Sequence, residues 1–294
     1  MRTHLAGIIP IANMVTDHEN LLPEVLLPLD NGFNAIQKSV HECALAGCNT
    51  IWIVANDDMA PIIRKCIGDW VYDPVYYNRS FSKFHSERRK EIPIYYVPIH
   101  PKDRDRRDSY GWSIINGIYN SWIVSNKLSK WLNPTKYYVC FPLGVFNLEI
   151  IRENRKLIND KQNNFFLSSD GKTIKDNLLL SFTMFGEDFK LCRRHVNKIT
   201  TREFLPPLNE NELPTEKLPL EQRWSARYFQ LSEVLRPLQV PEKTIEVDWY
   251  YDLSAWRSYR EFLGSDKFIK TPIKELTKVH KHAKIAYIVE EGEE

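Results

Sequence analysis

The first 57 residues contain a strand–helix–strand pattern that constrains the fold more than any other part of the chain. An apolar run over Leu5–Ala12 leads into a polar loop, a helical pattern over Phe33–Ala46 and a second apolar run over Ile51–Ala55. A strand, a crossover helix and a strand in this order predict a right-handed βαβ unit, which places ligands at the carboxyl ends of its strands. We therefore expect the functional site in the loop after the first strand.

The helical segment of this unit has one apolar stripe and recognisable ends. The stripe consists of residues at helical spacing: Phe33, Ile36, Val40, Cys43 and Ala44. Asp30 or Asn31 is placed to act as the N-cap, and Gly47 suits the residue just past the last turn.

Later patterns extend the same architecture. We predict a short helix over Met59–Ile67, a strand over Ile92–Ile99, a helix over Ser113–Lys130 and a strand over Tyr137–Phe141. Four strand candidates separated by helical patterns predict an α/β fold with a mostly parallel, Rossmann-like central sheet and helices on both faces.

The second half of the chain has a different pattern. Leu178–Phe185 and the residues from Gly186 and Phe189 onward resemble hairpin strands, so we expect an antiparallel hairpin region there. The remaining predictions are a surface loop over residues 205–223, strands over Ser225–Leu231, Ile245–Leu253 and Ile285–Val289, and helices over Ser232–Leu235 and Ala255–Leu263. We expect one α/β domain over residues 1–264, with a hairpin insertion at about 163–205, and a helix or strand extension with an acidic tail over 265–294.

Composition favours a soluble cytoplasmic protein. The net charge of +2 gives no reason to expect a nucleic-acid partner. The cysteines number five and include no C-x-x-C pair, which argues for free thiols in a reducing compartment, and Cys43 and Cys48 are expected to pack in the core. Pro10 interrupts the apolar run near the amino terminus, and no segment is apolar over a bilayer-spanning length, so we expect neither a signal peptide nor a membrane partner.

An aromatic and basic stretch over residues 69–91 permits two interpretations. Rings such as Trp70 and Phe81 alternate with cations such as Arg79 and Arg88, a pattern that could stack the bases of a single strand. The alternative is a long loop whose rings pack on the domain.

The order of elements and several short phrases resemble the sugar-1-phosphate nucleotidyltransferases. These enzymes join a nucleoside triphosphate to a sugar phosphate, with release of pyrophosphate. The phrases that carry the resemblance are Gly7-Ile-Ile-Pro-Ile-Ala12, Pro23-Glu24, Leu26-Leu27-Pro28, Asn31-Gly32, Ala46-Gly47, Ser225–Leu231 and Trp249–Tyr259. The resemblance covers most of residues 5–263. It implies a nucleotide-binding α/β fold, a Mg²⁺ cofactor held partly by Asp252, and a nucleoside triphosphate, nucleotide sugar or sugar phosphate as ligand.

The departures from the family fall where its chemistry is located. The family's phosphate loop has several glycines and an Arg, whereas this chain has Ile11-Ala-Asn-Met-Val-Thr-Asp17. Glu24 follows Pro23 where the family has Lys, and Gly144-Val145 replaces the family's Gly-Asp. Phosphoryl-type transfer depends on positioning and charge neutralisation, so these losses together bear directly on catalysis.

The candidate site residues follow from this resemblance and from helix ends. Asp252 is predicted as the catalytic and metal-binding carboxylate, although it could equally cap the helix beginning near Ala255. Arg104 and Arg107 lie between a strand and a helix amino terminus, where phosphate is favoured. The predicted nucleotide-binding residues are Ile11, Ala12, Asn13, Ser109 and Gly111. Gly111 could equally be a structural residue of the helix start.

Two further points stay open in the sequence. Asp103-Arg-Asp105 matches the Asp-x-Asp of metal-dependent glycosyltransferases, and it also fits a solvated charged loop.

The sequence leaves three functional hypotheses. They are a divergent nucleotidyltransferase, which we slightly favour, a catalytically lapsed binding or scaffold protein with that fold, and a glycosyltransferase that uses a nucleotide sugar. A homo-oligomer or a protein partner is compatible with each.

Overall fold

A six-stranded sheet forms the centre of the molecule. The computed structural model describes residues 4–12, 14, 16–17, 23–30, 32–77, 91–104, 109–128, 133–200, 213, 216, 219, 229–267 and 269. The strands are β1 (Leu5–Pro10), β2 (Pro28–Asp30), β3 (Phe33–Asn34), β4 (Thr50–Val54), β5 (Trp70–Tyr72), β6 (Glu91–Val97), β7 (Lys136–Val139), β8 (Gly144–Phe146), β9 (Leu167–Ser168), β10 (Phe182–Phe185), β11 (Ile245–Glu246) and β12 (Tyr250–Asp252). The helices are α1 (Ala35–Ala46), α2 (Ala60–Ile67), α3 (Pro74–Tyr77), α4 (Pro101–Arg104), α5 (Tyr110–Leu128), α6 (Glu149–Glu153), α7 (Arg155–Ile158), α8 (Gly186–Thr200), α9 (Leu231–Val234) and α10 (Trp256–Leu263).

The central sheet is mostly parallel, as the sequence predicted. Its order is β10-β7-β1-β4-β6-β5, with β7, β1, β4 and β6 parallel and an antiparallel strand at each edge. The chain moves from β1 toward β4 and β6, and then returns to place β7 on the other side of β1. The strand order therefore reverses between β1 and β7, the position at which open α/β sheets bind ligands.

Helices cover both faces of this sheet. A β-carbon on Gly7 would lie 2.7 Å from the sulfur of Cys43 in α1, so Gly7 faces α1. The side chain of Ile8, the next residue, lies instead beneath Gly117 of α5. Successive strand residues point to opposite faces, so α1 and α5 pack on opposite sides of β1. Glycine at positions 7 and 117 permits this close approach of strand and helix.

The predicted apolar stripe of α1 is confirmed, but its predicted amino-terminal end is wrong. Phe33, Ile36, Val40, Cys43 and Ala44 are all buried. The helix begins at Ala35, because Phe33 and Asn34 form β3 against β2. Its N-cap is Asn34, whose side chain and that of Gln37 exchange hydrogen bonds with each other's backbone N–H groups, rather than Asp30 or Asn31. Gly47 ends the helix with φ 90°, as expected.

Three other elements differ from the predictions. Trp70–Tyr72 and Pro74–Tyr77 form β5 and α3, so a continuous loop over 69–91, one of the two interpretations of this stretch, is wrong for these residues; residues 78–90 lie outside the described part. The segment from Gly186 is the 15-residue helix α8 and not hairpin strands, because Phe189, Cys192 and Val196 form a buried stripe at helical spacing. The predicted strand Ile245–Leu253 is divided into β11 and β12, which pair with different partners.

Most other predicted elements are confirmed within a few residues. α2, α5, α9 and α10 lie over the segments predicted as helices. The predicted loop over 205–223 and the predicted strands over Ser225–Leu231 and Ile285–Val289 lie wholly or largely outside the described residues. In the part of the chain that the structure describes, no helix has the length and apolar character needed to cross a bilayer.

Candidate functional site

The carboxyl end of β1 meets the amino-terminal turns of α5 at the point where the strand order reverses. The hydroxyl of Tyr110 donates a hydrogen bond to the carbonyl of Pro10 across 3.2 Å. One helical turn later, the hydroxyl of Ser113 donates to the carbonyl of Ala12 across 2.7 Å. These bonds fix the start of α5 against the end of β1. The expected ligand crevice at the carboxyl ends of β1 and β7 is therefore bordered by the start of α5.

Asp252 lies beside this crevice. β12 pairs antiparallel with β8, so Asp252 is opposite Gly144 and the backbone N–H of Leu253 donates to the Leu143 carbonyl across 2.8 Å. Burial raises the pKa of Tyr110 well above its usual value, and the nearby Cys140 and Asp252 raise it further. Because the Tyr110 hydroxyl also contacts Pro10, the Asp252 carboxylate is close to the end of β1.

The Asp252 carboxylate is only partly engaged. Its Oδ1 accepts a hydrogen bond from the Ser254 backbone N–H across 2.9 Å, and the other oxygen has no hydrogen-bond partner among the described residues. The N-cap of α10 is Ala255, with no capping side chain of its own, so the alternative prediction that Asp252 caps this helix is wrong. The Oδ1 atom of Asp17 instead accepts from the Trp256 N–H across 2.6 Å.

A second carboxylate is absent from the position where the resemblance implies one. Val145 follows Gly144 on β8, lies opposite Tyr251 and is completely buried among apolar neighbours. The described residues contain no group of three or more His, Cys, Asp or Glu side chains that could hold a metal ion. Mg²⁺ requires oxygen ligands at octahedral positions. A single half-engaged carboxylate beside a valine does not fit a protein-built magnesium site.

The loop after β1 uses its backbone donors inside the protein. The N–H groups of Ile11 and Ala12 both donate to the Val54 carbonyl, across 2.8 and 2.9 Å. Phosphate loops bind anions with unpaired backbone N–H groups. These two amides already donate to Val54 and are therefore not available to a phosphate. Glu24, at the position of the family's lysine, accepts a hydrogen bond from the Thr16 hydroxyl across 3.0 Å. Asn13 lies outside the described residues.

The predicted residues around the start of α5 have structural roles in the described part of the chain. The Ser109 hydroxyl accepts from the Trp112 N–H across 3.2 Å and so caps the first turn. A β-carbon on Gly111 would lie 2.8 Å from the side chain of Val234, so this glycine allows α9 to pack against α5. Arg104 is the last residue of α4, and Arg107 lies outside the described residues. The predicted roles of Arg104, Arg107, Ser109 and Gly111 in ligand binding stay predictions.

A buried ionic network beneath the crevice was missed by the sequence analysis. The ammonium group of Lys38 donates to the carbonyls of Phe141, across 2.9 Å, and Gly144, and pairs with the Glu42 carboxylate across 2.9 Å. Glu42 also accepts from the hydroxyls of Tyr138, across 2.7 Å, and Ser181. Lys38 and Glu42 have no solvent exposure. The network fixes the turn between β7 and β8, and thereby the strand that pairs with Asp252.

The local sequence contained one signal for this network. Lys38 and Glu42 are four residues apart in α1, the spacing of a helical ion pair. Charged residues at that spacing usually mark the solvent face of a helix, but 11 of the 12 residues of α1 are buried. The prediction that Cys43 and Cys48 pack in the core is confirmed, and Cys140 is buried as well.

Comparisons with known proteins identify the fold. No protein-family model matches the chain, and no curated protein matches it. One similar solved structure is described as a glucose-1-phosphate thymidylyltransferase from Bacillus anthracis in complex with a sucrose, with a TM-score of 0.51, 10% identity, and coverage of 90% of this chain and 96% of that one. A UDP-glucose pyrophosphorylase complexed with UDP-glucose has a TM-score of 0.51 at 12% identity, covering 89% of this chain and 97% of that one. An apo-UDP-glucose pyrophosphorylase has a TM-score of 0.52 at 12% identity, covering 90% and 97%.

Proposed function

We propose that this chain, which has the fold of the sugar-1-phosphate nucleotidyltransferases, binds a nucleotide sugar in the crevice beside Asp252 without transferring a nucleotidyl group. The fold supports a nucleotidyltransferase-like protein, and the ligand class is taken from a neighbour that is complexed with UDP-glucose. The location is supported by the reversal of strand order between β1 and β7.

The observation that carries the loss of transfer is the pairing of β12 with β8. Asp252 is opposite Gly144, and the next residue of β8 is the fully buried Val145. A hydrocarbon side chain therefore lies where the family resemblance implies a second acidic group. Transfer of a nucleotidyl group needs compensation of the charge that develops on the triphosphate. One carboxylate with a valine at the position of the family's second acidic group gives little of the metal-mediated compensation on which the family relies.

The loop after β1 supports the same conclusion. The Ile11 and Ala12 amides already donate to Val54, and the carboxylate of Glu24 would repel a triphosphate. A nucleotide sugar carries a diphosphate whose second phosphate is esterified, so it presents less charge than a triphosphate. The sequence predicts Arg104, Arg107 and Ser109 as candidates for its phosphate contacts. Ile11, Ala12, Asn13 and Gly111 stay the nucleotide-binding residues that the sequence predicts.

The test separates binding from transfer. The full chain is incubated with Mg²⁺, the four nucleoside triphosphates and a panel of sugar 1-phosphates, and pyrophosphate is measured; in parallel, melting temperature is measured with UDP-, dTDP-, ADP- and GDP-glucose. We expect a rise in melting temperature with at least one nucleotide sugar, since a ligand that binds only the folded state stabilises it. We expect no pyrophosphate above the level given by Asp252→Asn.

The control and the contrary results are specific. Asp248→Asn removes an exposed carboxylate four residues before Asp252 and should behave as the original chain in both assays. Pyrophosphate release that Asp252→Asn abolishes and Asp248→Asn preserves would overturn the proposed loss of transfer. The absence of any thermal response to all four nucleotide sugars would overturn the proposed binding.

A second candidate, retained nucleotidyl transfer, is favoured by one observation. The Asp252 carboxylate lies near the end of β1, where the family resemblance implies a metal-binding carboxylate. In this reaction an oxygen of the sugar phosphate attacks the α-phosphorus of the triphosphate, and the bond to pyrophosphate breaks. The Asp252-dependent pyrophosphate signal described above is the result that would establish it.

A further inference from the structure

A cavity lies at the edge of the central sheet opposite to the Asp252 crevice. It has a volume of about 330 Å³ and lies between the last turns of α5 and the amino-terminal ends of three strands. His4 and Asn49 directly precede β1 and β4, and they line it together with Trp52 and Tyr95. Pockets of this size are typical of sites for small molecules.

Two aromatic rings form one wall of this cavity. Trp52 on β4 and Tyr95 on β6 are cross-strand partners whose ring centroids are 4.3 Å apart with an interplanar angle of 21°. The indole Nε1 of Trp52 donates to the Thr50 hydroxyl across 3.0 Å, which fixes the orientation of that ring. Tyr95 stays partly exposed. The wall is therefore rigid and apolar, with an accessible ring at its surface.

Several polar groups lining the cavity have hydrogen-bonding capacity left over. The side-chain carbonyl of Asn49 accepts from the Leu5 N–H across 3.0 Å, whereas its amide nitrogen has no partner among the described residues. Within the same described part of the chain, the hydroxyls of Tyr95 and Ser125 also lack hydrogen-bond partners. Groups that can donate and accept are thus presented beside an aromatic wall.

The charge of the cavity restricts the ligand. Among the described residues, no Asp, Glu, Lys or Arg lines it, and His4 is its one titratable imidazole. None of these described side chains offers a phosphate or carboxylate a permanent positive charge, and burying an unpaired charge is costly. The aromatic wall and the remaining donors and acceptors suit an uncharged ring with an apolar face and a polar edge.

We infer that this cavity is a second ligand site, separate from the Asp252 crevice, that binds a small uncharged ring compound, either a free monosaccharide or a nucleoside. Both compounds have a flat face that packs on an aromatic ring and edge groups that hydrogen-bond. The site goes beyond the proposed function, because it is at the opposite edge of the sheet and uses none of the residues proposed there.

The test measures binding to the full chain by titration calorimetry and saturation-transfer NMR. One arm contains D-glucose, D-galactose and D-mannose, and the other contains uridine, thymidine and cytidine, each at up to about 10 mM because ligands of this size bind weakly. We expect saturable binding in one arm, which identifies the source of the ring. Binding should not be displaced by UDP-glucose, and this result distinguishes it from binding in the crevice.

The variants test the location. Ser125→Leu fills the cavity and should weaken binding at least tenfold, whereas Asn126→Leu, the same kind of change at the next, exposed residue of α5, should leave it unchanged. Tyr95→Phe removes only a hydroxyl and should weaken binding by about three- to tenfold, the usual effect of one hydrogen bond; it remains informative if Ser125→Leu does not fold. The inference is overturned if neither arm binds, if UDP-glucose displaces the bound compound, or if binding is the same in Ser125→Leu and Tyr95→Phe as in the original chain.

Discussion

The carboxylate of Asp17 accepts a hydrogen bond from the backbone N–H of Trp256 across 2.6 Å, and so caps a helix 239 residues away in sequence. The backbone N–H of Asp17 returns a bond to the Ser254 carbonyl across 3.0 Å. The loop after β1 is thereby attached to the turn that follows Asp252. These two bonds hold segments from opposite ends of the described chain together beside Asp252.

Asp17→Ala is expected to lower the free energy of unfolding by about 1 kcal/mol, the usual cost of losing a helix cap. Urea unfolding of the full chain measures the loss. Asp17→Asn retains an acceptor and should recover most of the stability, and Asp248→Ala, at an exposed position, should have no effect. Equal stability of Asp17→Ala and the original chain would show that the cap contributes nothing.

Lys38→Met should destabilise the fold by about 3–5 kcal/mol, because it leaves the buried carboxylate of Glu42 without its counter-charge. Chemical denaturation is the measurement, with Lys127→Met in the exposed last turn of α5 as the matched control. The double variant Lys38→Met/Glu42→Gln should be more stable than Lys38→Met alone, since its neutral amide can still accept from Tyr138. A double variant no more stable than the single one would contradict the ion-pair account.

Stability should fall as the pH decreases from 7 to 5 because of His41. Burial lowers the pKa of His41 to about 4, from an ordinary value near 6.5. Between these two values the unfolded chain binds a proton that the folded chain does not, so acidification favours unfolding. The expected contribution is about 2 kcal/mol between pH 7 and pH 5. His41→Leu should remove this part of the pH dependence in urea titrations; an unchanged slope would exclude His41 as its source.

Val145→Asp supplies the acidic group that the family resemblance implies. It should lower the free energy of unfolding by more than about 3 kcal/mol at pH 7. The position is completely buried, and an ionised carboxyl there has no partner. Val145→Thr has a similar shape and controls for polarity without charge. It should lower the free energy of unfolding by about 1–3 kcal/mol. Thermal and urea unfolding measure both variants. A stable Val145→Asp chain would mean that the position can accommodate a carboxylate, contrary to the packing described here.

The fold was largely predictable because its strongest signals are local and periodic. The run Leu5–Ala12, the stripe of α1 and the run Ile51–Ala55 each predict one element, and their order predicts a parallel sheet. The helix α8 was missed because its stripe of Phe189, Cys192 and Val196 follows directly on the strand residues before Gly186. The polar residues between these three positions make the helical period difficult to recognise directly after a strand.

The candidate site was predictable only in part, because its relationships are long-range. Asp252 was predicted by resemblance, but its register opposite Gly144 depends on pairing across 108 residues, which no local pattern contains. The burial of Lys38 results from the turn at Phe141–Gly144 folding over it. Nor does the local sequence of the loop after β1 indicate that the Ile11 and Ala12 amides donate to Val54.

The most direct measurement for the central claim is the affinity for UDP-glucose, or for whichever nucleotide sugar raises the melting temperature, with Mg²⁺ and with EDTA in the original chain and in Asp252→Asn. If the crevice binds the ligand without a metal-bridged carboxylate, EDTA should change the dissociation constant less than about twofold, and Asp252→Asn should leave binding equal or tighter, since it removes a negative charge near the diphosphate. Binding that requires Mg²⁺ and is weakened tenfold or more by Asp252→Asn would contradict the account.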